Sequence, residues 1–83
     1  MQVKDTTPNL RRVVGIKQTT KAISNGLAVE VLIARDAEER VAAPLRELCR
    51  KAGIVPDETM DMLALGRACS IEVGAAAAAL VRI

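Results

Sequence analysis

Two short stretches hold the residue types that could do chemistry. The first, GIKQTTKA at residues 15–22, sets Lys17 and Lys21 four residues apart behind a glycine, with Gln18 between them. Four-residue spacing puts both lysines on one face if the segment is helical. Backbone N–H groups at a helix start favour an anion, lysines pair with phosphates or guanine edges, and glutamine can both donate to and accept from a base. A nucleotide phosphate loop needs two glycines bracketing four residues, then Lys and Ser or Thr. Here the second glycine is missing and Lys21 is followed by Ala22, so that chemistry is set aside. An ordinary solvated helix face stays open beside the anion-binding reading. The second stretch, SIEVGAA at 70–76, flanks Glu72 with Ile71 and Val73. Those two are either core residues or, if a loop exposes them, an apolar cap for an unstacked base.

Composition removes several classes of function. The chain has no Phe, Trp or Tyr, so no side chain can act as an aromatic stacking platform for single strands. With no histidine, the commonest general base is missing, and triad catalysis is not expected. Cys49 and Cys69 lack metal-ligand spacing and read as small core residues. No metal and no cofactor are expected, and an enzyme is a poor first reading. The N-terminus MQVKDTTPNLRR is too polar for a signal peptide and no apolar run reaches membrane-span length, so a cytoplasmic protein without a membrane partner is expected. Net charge is only +2, but residues 1–35 carry six basic and two acidic side chains against six basic and eight acidic in 36–83. A local positive surface built by the N-terminal part can attract a polyanion.

The elements that must position these stretches follow from pattern and breakers. With 83 residues, one domain with a small core is expected. RRVVG (11–15) and VEVLIARD (29–36) read as strands, the second buried. Between them KQTTKAISNG suits a helix closed by Asn25 and Gly26. An advance of about 100° per residue turns Lys17, Gln18 and Lys21 outward and Thr19, Thr20, Ile23 and Leu27 inward. AEERVAAPLRELCRKAG is a helix with Val41, Leu45, Leu48, Cys49 and Ala52 inward, and Pro44 is expected in its first turn or at a late start. IVPDET (54–59) can be at most an edge strand because of Pro56. DMLALGRACS is a short helix with Asp61 as N-cap. In the tail, alanine propensity argues for helix while the alternation around Arg82 argues for strand. The β-α-β-α-β-α-β order predicts an α/β helix–sheet–helix sandwich, with the small tail residues letting helices pack close.

Taken together, VVGIKQTTKAISNG, LGRACSIEVGAAA and their spacing resemble the kink-turn RNA-binding family of ribosomal proteins of the L-seven-Ae type, most closely its small bacterial members. The resemblance covers roughly residues 12–82. It implies a three-layer α/β/α sandwich around a four-stranded mixed sheet, and an RNA partner bent at a bulge beside tandem sheared G·A pairs. It places Lys17, Gln18 and Lys21 at the G·A pairs and Ile71, Glu72 and Val73 against the bulge. Three departures stand out: Lys17-Gln18 where many members have Asn-Glu, Ser70 where glycine is usual, and PDE at 56–58 and TTPNL at 6–10, which crowd the family's third strand and first helix.

The expectation is a non-enzymatic RNA-binding domain over residues 1–83 that stabilises a kink-turn in ribosomal or regulatory RNA, and a monomer. Gly15 would permit close backbone approach, and Arg35 at the end of the second strand would reach the RNA backbone. The rival is a protein–protein interaction module on the same sandwich.

Overall fold

The alanine-rich tail, where propensity and pattern disagree, folds as a strand and takes the centre of the sheet. The computed structural model describes residues 10–82. In chain order the elements are β1 (Leu10–Val14), α1 (Ile16–Ser24), β2 (Ala28–Ile33), α2 (Glu39–Ala52), α3 (Met62–Ala68) and β3 (Ala77–Arg82). The sheet order is β1-β3-β2, and β3 runs antiparallel to both neighbours. Alanine's helical advantage is a few tenths of a kcal/mol per residue. Hydrogen bonding along both edges and complete burial of Ala77, Ala78 and Ala79 outweigh it.

Period-two alternation in β3 then divides the core. Ala77, Ala79 and Val81 face one way, against Ala22 and Ile23 of α1 and Ala42, Leu45 and Cys49 of α2. Ala78 faces the other way, toward Leu65 of α3 with Cys69 and Ala75. Small side chains at the sheet centre let helices approach from both sides, giving the expected α/β/α layering. Both cysteines are buried and free, and burial pushes the Cys49 thiol up. Thr19 on the inner side of α1 is fully buried. Leu27, expected inside, lies beyond the helix and is exposed. No helix among the described residues is long and apolar enough to cross a membrane.

The expected four-stranded mixed sheet is corrected to three antiparallel strands among the described residues. Residues 54–59 contribute one parallel bridge, Leu32 to Asp57. Asp57 N–H donates to Val31 C=O and Ile33 N–H to Asp57 C=O, both at 2.9 Å, and the next bond, from Arg35 N–H to Met60 C=O at 2.9 Å, skips past the regular ladder partner. Pro56 has no N–H to give, and Thr59 N–H turns back to Asp57 Oδ1 at 2.9 Å. Glu58 is drawn instead to Arg46 on α2.

Pro44 also departs from expectation: α2 begins at Glu39, so the proline sits inside the helix. It is exposed, so the Arg40 carbonyl it leaves without a donor lies on the solvent side, where water can serve it. The space for the family's first helix, around TTPNL, lies outside the described residues apart from Leu10.

Candidate nucleic-acid interface

Antiparallel pairing brings the two chemistry-bearing stretches together. Val14 of β1 pairs with Ala78 of β3, so the end of one strand meets the start of the other. One residue further on, Gly15 N–H donates to Ala77 C=O at 2.8 Å. On the other side of β3, Ala34 N–H donates to Ala76 C=O at 2.8 Å. Gly15 with the start of α1, the 70–76 loop and Arg35 therefore occupy one end of the sheet.

Gly15 has φ 110 and ψ 157, a conformation that only glycine adopts without strain. That geometry lets the chain leave β1 and enter α1 at once. Lys17, Gln18 and Lys21 are exposed, while Thr19, Ala22 and Ile23 fill the inner side. The ion pairs among the described residues use Arg35, Arg40, Arg46 and Arg50, not Lys17 or Lys21.

The loop is built by α3. Asp61 Oδ1 caps the helix by accepting from Ala64 N–H at 2.8 Å, and Asp36 Oδ1 accepts from Met62 N–H at 2.8 Å. At the other end Ser70 N–H donates to Arg67 C=O and Ile71 N–H to Gly66 C=O, each at 3.0 Å. This is the same closure that Gly26 gives α1 and Gly53 gives α2, with the closing residue left-handed in all three: φ 71, 74 and, for Ser70, 63. Ser70 thus performs at the end of α3 the task that glycine performs at the other two, at some strain.

Beyond Ser70 the chain folds back over α3. A Cβ on buried Gly66 would lie 2.1 Å from the Val73 carbonyl oxygen, and one on Gly74 would lie 3.3 Å from Met62 Cβ. Ala75 N–H donates to Met62 C=O at 3.0 Å. Held this way, Ile71 is half-buried against the α3 core and Val73 is 68% exposed. Both the core and the exposed readings thus apply, one to each residue. Glu72 between them is exposed.

Arg35 reaches this end of the sheet but turns toward the start of α3. Its guanidinium is 3.8 Å from Asp61 Oδ2 and donates to Thr59 C=O at 3.5 Å. Two positioning residues escaped sequence reasoning. Gly66 stands in the LGRACSIEVGAAA stretch, but no role follows for it without knowledge of what crosses it. Arg12 of β1 donates from Nη1 to Ala68 C=O at 2.8 Å, tying the edge strand to the last turn of α3.

Comparison with known proteins adds four findings. Residues 2–82 match the model of the ribosomal protein L7Ae/L30e/S12e/Gadd45 family. An RNA-binding protein of Caldanaerobacter subterraneus is 49% identical over 69 residues, covering 83% of this chain and 84% of the relative. RNA-binding protein YbxF of Geobacillus stearothermophilus is 39% identical over 70 residues, covering 84% and 85%. Among solved structures, the 15.5kD RNA binding protein of Giardia lamblia superposes with a TM-score of 0.73 at 27% identity, covering 87% of this chain and 61% of that one.

Proposed function

Because the chain belongs to the ribosomal protein L7Ae/L30e/S12e/Gadd45 family, we propose that it is an RNA-binding protein that recognises kink-turn or kink-turn-like RNA and stabilises its bent form. The observation that carries this reading is the convergence at Gly15 and Ala77, which sets a cationic helix start beside an exposed apolar loop. RNA-binding relatives that match over most of their length support the RNA partner.

In this reading Lys17, Gln18 and Lys21 meet the sheared G·A pairs. An A-form major groove is normally too narrow to read, but non-canonical pairs at a bend open it to a helix end. Val73 covers an unstacked bulge base, with Ile71 as its anchor in the core and Glu72 setting the orientation. Arg35 contacts the RNA backbone only by leaving Asp61, a weak pair between exposed groups. Gly15 keeps the approach to the backbone clear, since nothing lies within 4 Å of where its Cβ would be. Binding selects the bent conformer from a flexible RNA ensemble and so requires no bond-making chemistry. Ribosomal RNA and regulatory RNA both offer such bends.

The test is a titration of a kink-turn RNA against the same RNA with its G·A pairs replaced by Watson–Crick pairs. Tighter binding of the kink-turn by tenfold or more is expected. Equal binding would remove the kink-turn reading, and binding of neither RNA would favour a protein-interaction module on this fold.

A further inference from the structure

The two arginines of β1 point to opposite faces of the sheet. Arg12 reaches α3, whereas Arg11, paired with Val81, lies on the α1 side. There it borders a hollow of about 120 Å³ between α1 and the edge of the sheet. The floor is apolar, with Val13 and Val81, and the rim carries Arg11, Gln18, Lys21 and Asn25. Gln18 and Lys21 thus belong both to the exposed face of α1 and to this rim. The ion pairs among the described residues leave Arg11 out, as they do Lys21.

Resting on the RNA reading above, we propose that this hollow is a second contact with the same RNA, holding the sugar–phosphate backbone of a helix that flanks the bend. The phosphate lies against Arg11, with the Lys21 ammonium sharing its three donors between this phosphate and the G·A pairs, the ribose lies over the floor, and the Asn25 amide bonds phosphate or 2′-hydroxyl oxygens. A guanidinium offers two parallel N–H donors that match a phosphate, and the 2′-hydroxyl both donates and accepts. No base edge is read here, so the contact adds affinity independent of sequence. A larger hollow, of about 540 Å³, has the wrong chemistry for a polyanion: Leu10, Val55 and Leu80 with Glu30 line it.

The experiment measures the affinity of wild type, Arg11→Ala and Arg11→Lys for a kink-turn RNA and its Watson–Crick control over a range of potassium chloride concentrations. Arg11→Ala is expected to bind several-fold more weakly and to lose about 0.7–0.9 from the slope of log affinity against log salt, the loss of one phosphate contact. Arg11→Lys should restore the slope. Shortening one flanking helix should make wild type and Arg11→Ala equal, while shortening the other should not. Unchanged affinity and slope in Arg11→Ala would overturn the proposal, as would weaker binding with an unchanged slope and a lower urea midpoint. If wild type binds both RNAs equally, the kink-turn reading fails and the Arg11 slope still decides this contact. If it binds neither, both fail.

Discussion

Gly15 and Ala77 are joined by a single 2.8 Å hydrogen bond that extends the β1–β3 ladder one residue past the strand end. That bond fixes where α1 starts relative to where the 70–76 loop returns to the sheet. Lys17 is two residues from one partner and Val73 four from the other, so little slack separates the cationic and apolar halves of the proposed interface. The loop is held on its other side by the close passage of Val73 over Gly66. A rigid scaffold thus presents the two halves as one surface, the usual requirement for a precise contact.

Lys17→Ala and Lys21→Ala should each weaken kink-turn binding by roughly tenfold or more, the scale of about 1–3 kcal/mol for a good base or phosphate contact. Both side chains are exposed, so unfolding free energies from urea titration should stay within about 0.5 kcal/mol of wild type. Fluorescence anisotropy with a labelled RNA and a parallel urea titration followed by circular dichroism check both parts. Full affinity in the double variant would remove α1 from the interface.

Gly66→Ala should destabilise the protein by about 1–3 kcal/mol, the range for forcing atoms into a packed site. The new methyl would need the space of the Val73 carbonyl oxygen, and backbone cannot turn aside as a flexible side chain can. Gly66 itself is buried, so any loss of RNA affinity in this variant must come through the displaced loop. The decisive measurement is affinity under conditions where circular dichroism shows the variant folded: an undiminished value would mean that Val73 is not part of the contact.

Much of this arrangement was legible in the sequence because short-range rules carry it. The lysine face of α1, the Gly26 closure and the Asp61 cap depend on residues within a turn of one another. What was not legible depends on distant partners. The alanine tail becomes a strand only because β1 and β2 flank it on both sides, whereas the limit on IVPDET was local and followed from Pro56. Pro44 was expected in the first turn or at a late start, because deeper in it costs a hydrogen bond, whereas exposure of the affected carbonyl tolerates it inside α2. Whether Ile71 and Val73 were core or surface was undecidable from their type. It is settled by Gly66, whose missing side chain admits the loop at the height that buries one and exposes the other.

Stability should fall in acid partly through Glu58. Its hydrogen bonds to the Arg46 guanidinium, at 2.9–3.2 Å, hold the carboxyl below the ordinary value of 4.5. A carboxyl depressed in the folded state contributes stability above its unfolded value, and that contribution disappears as pH drops from 4.5 through the folded value. Asp57, depressed by Thr59, and Glu47, depressed by Arg50, act in the same direction. Arg46→Met keeps the stem but removes the charge, and it leaves Glu58 without its partner. Urea midpoints measured from pH 6 to pH 3 should therefore decline less steeply in Arg46→Met than in wild type, with Asp57 and Glu47 accounting for the slope that remains. Parallel declines in the two proteins would show that the Glu58 pair has no part in acid sensitivity.

Ser70→Gly should stabilise the fold. A residue with a Cβ loses roughly 1–2 kcal/mol in the left-handed region, and Ser70 sits there at φ 63 to close α3. Glycine removes that strain but gains freedom in the unfolded chain, which offsets about 0.4–1 kcal/mol of the benefit. A net gain of about 0.5–1 kcal/mol in unfolding free energy is expected from urea titration. The same substitution separates two roles for the serine. If it only tolerates strain, kink-turn affinity in Ser70→Gly should equal or slightly exceed that of wild type, because the hydrogen bonds from residues 70 and 71 to the end of α3 use backbone alone. A more stable variant with at least tenfold weaker binding would instead assign the Ser70 hydroxyl to the RNA contact, adjoining Ile71 in the loop.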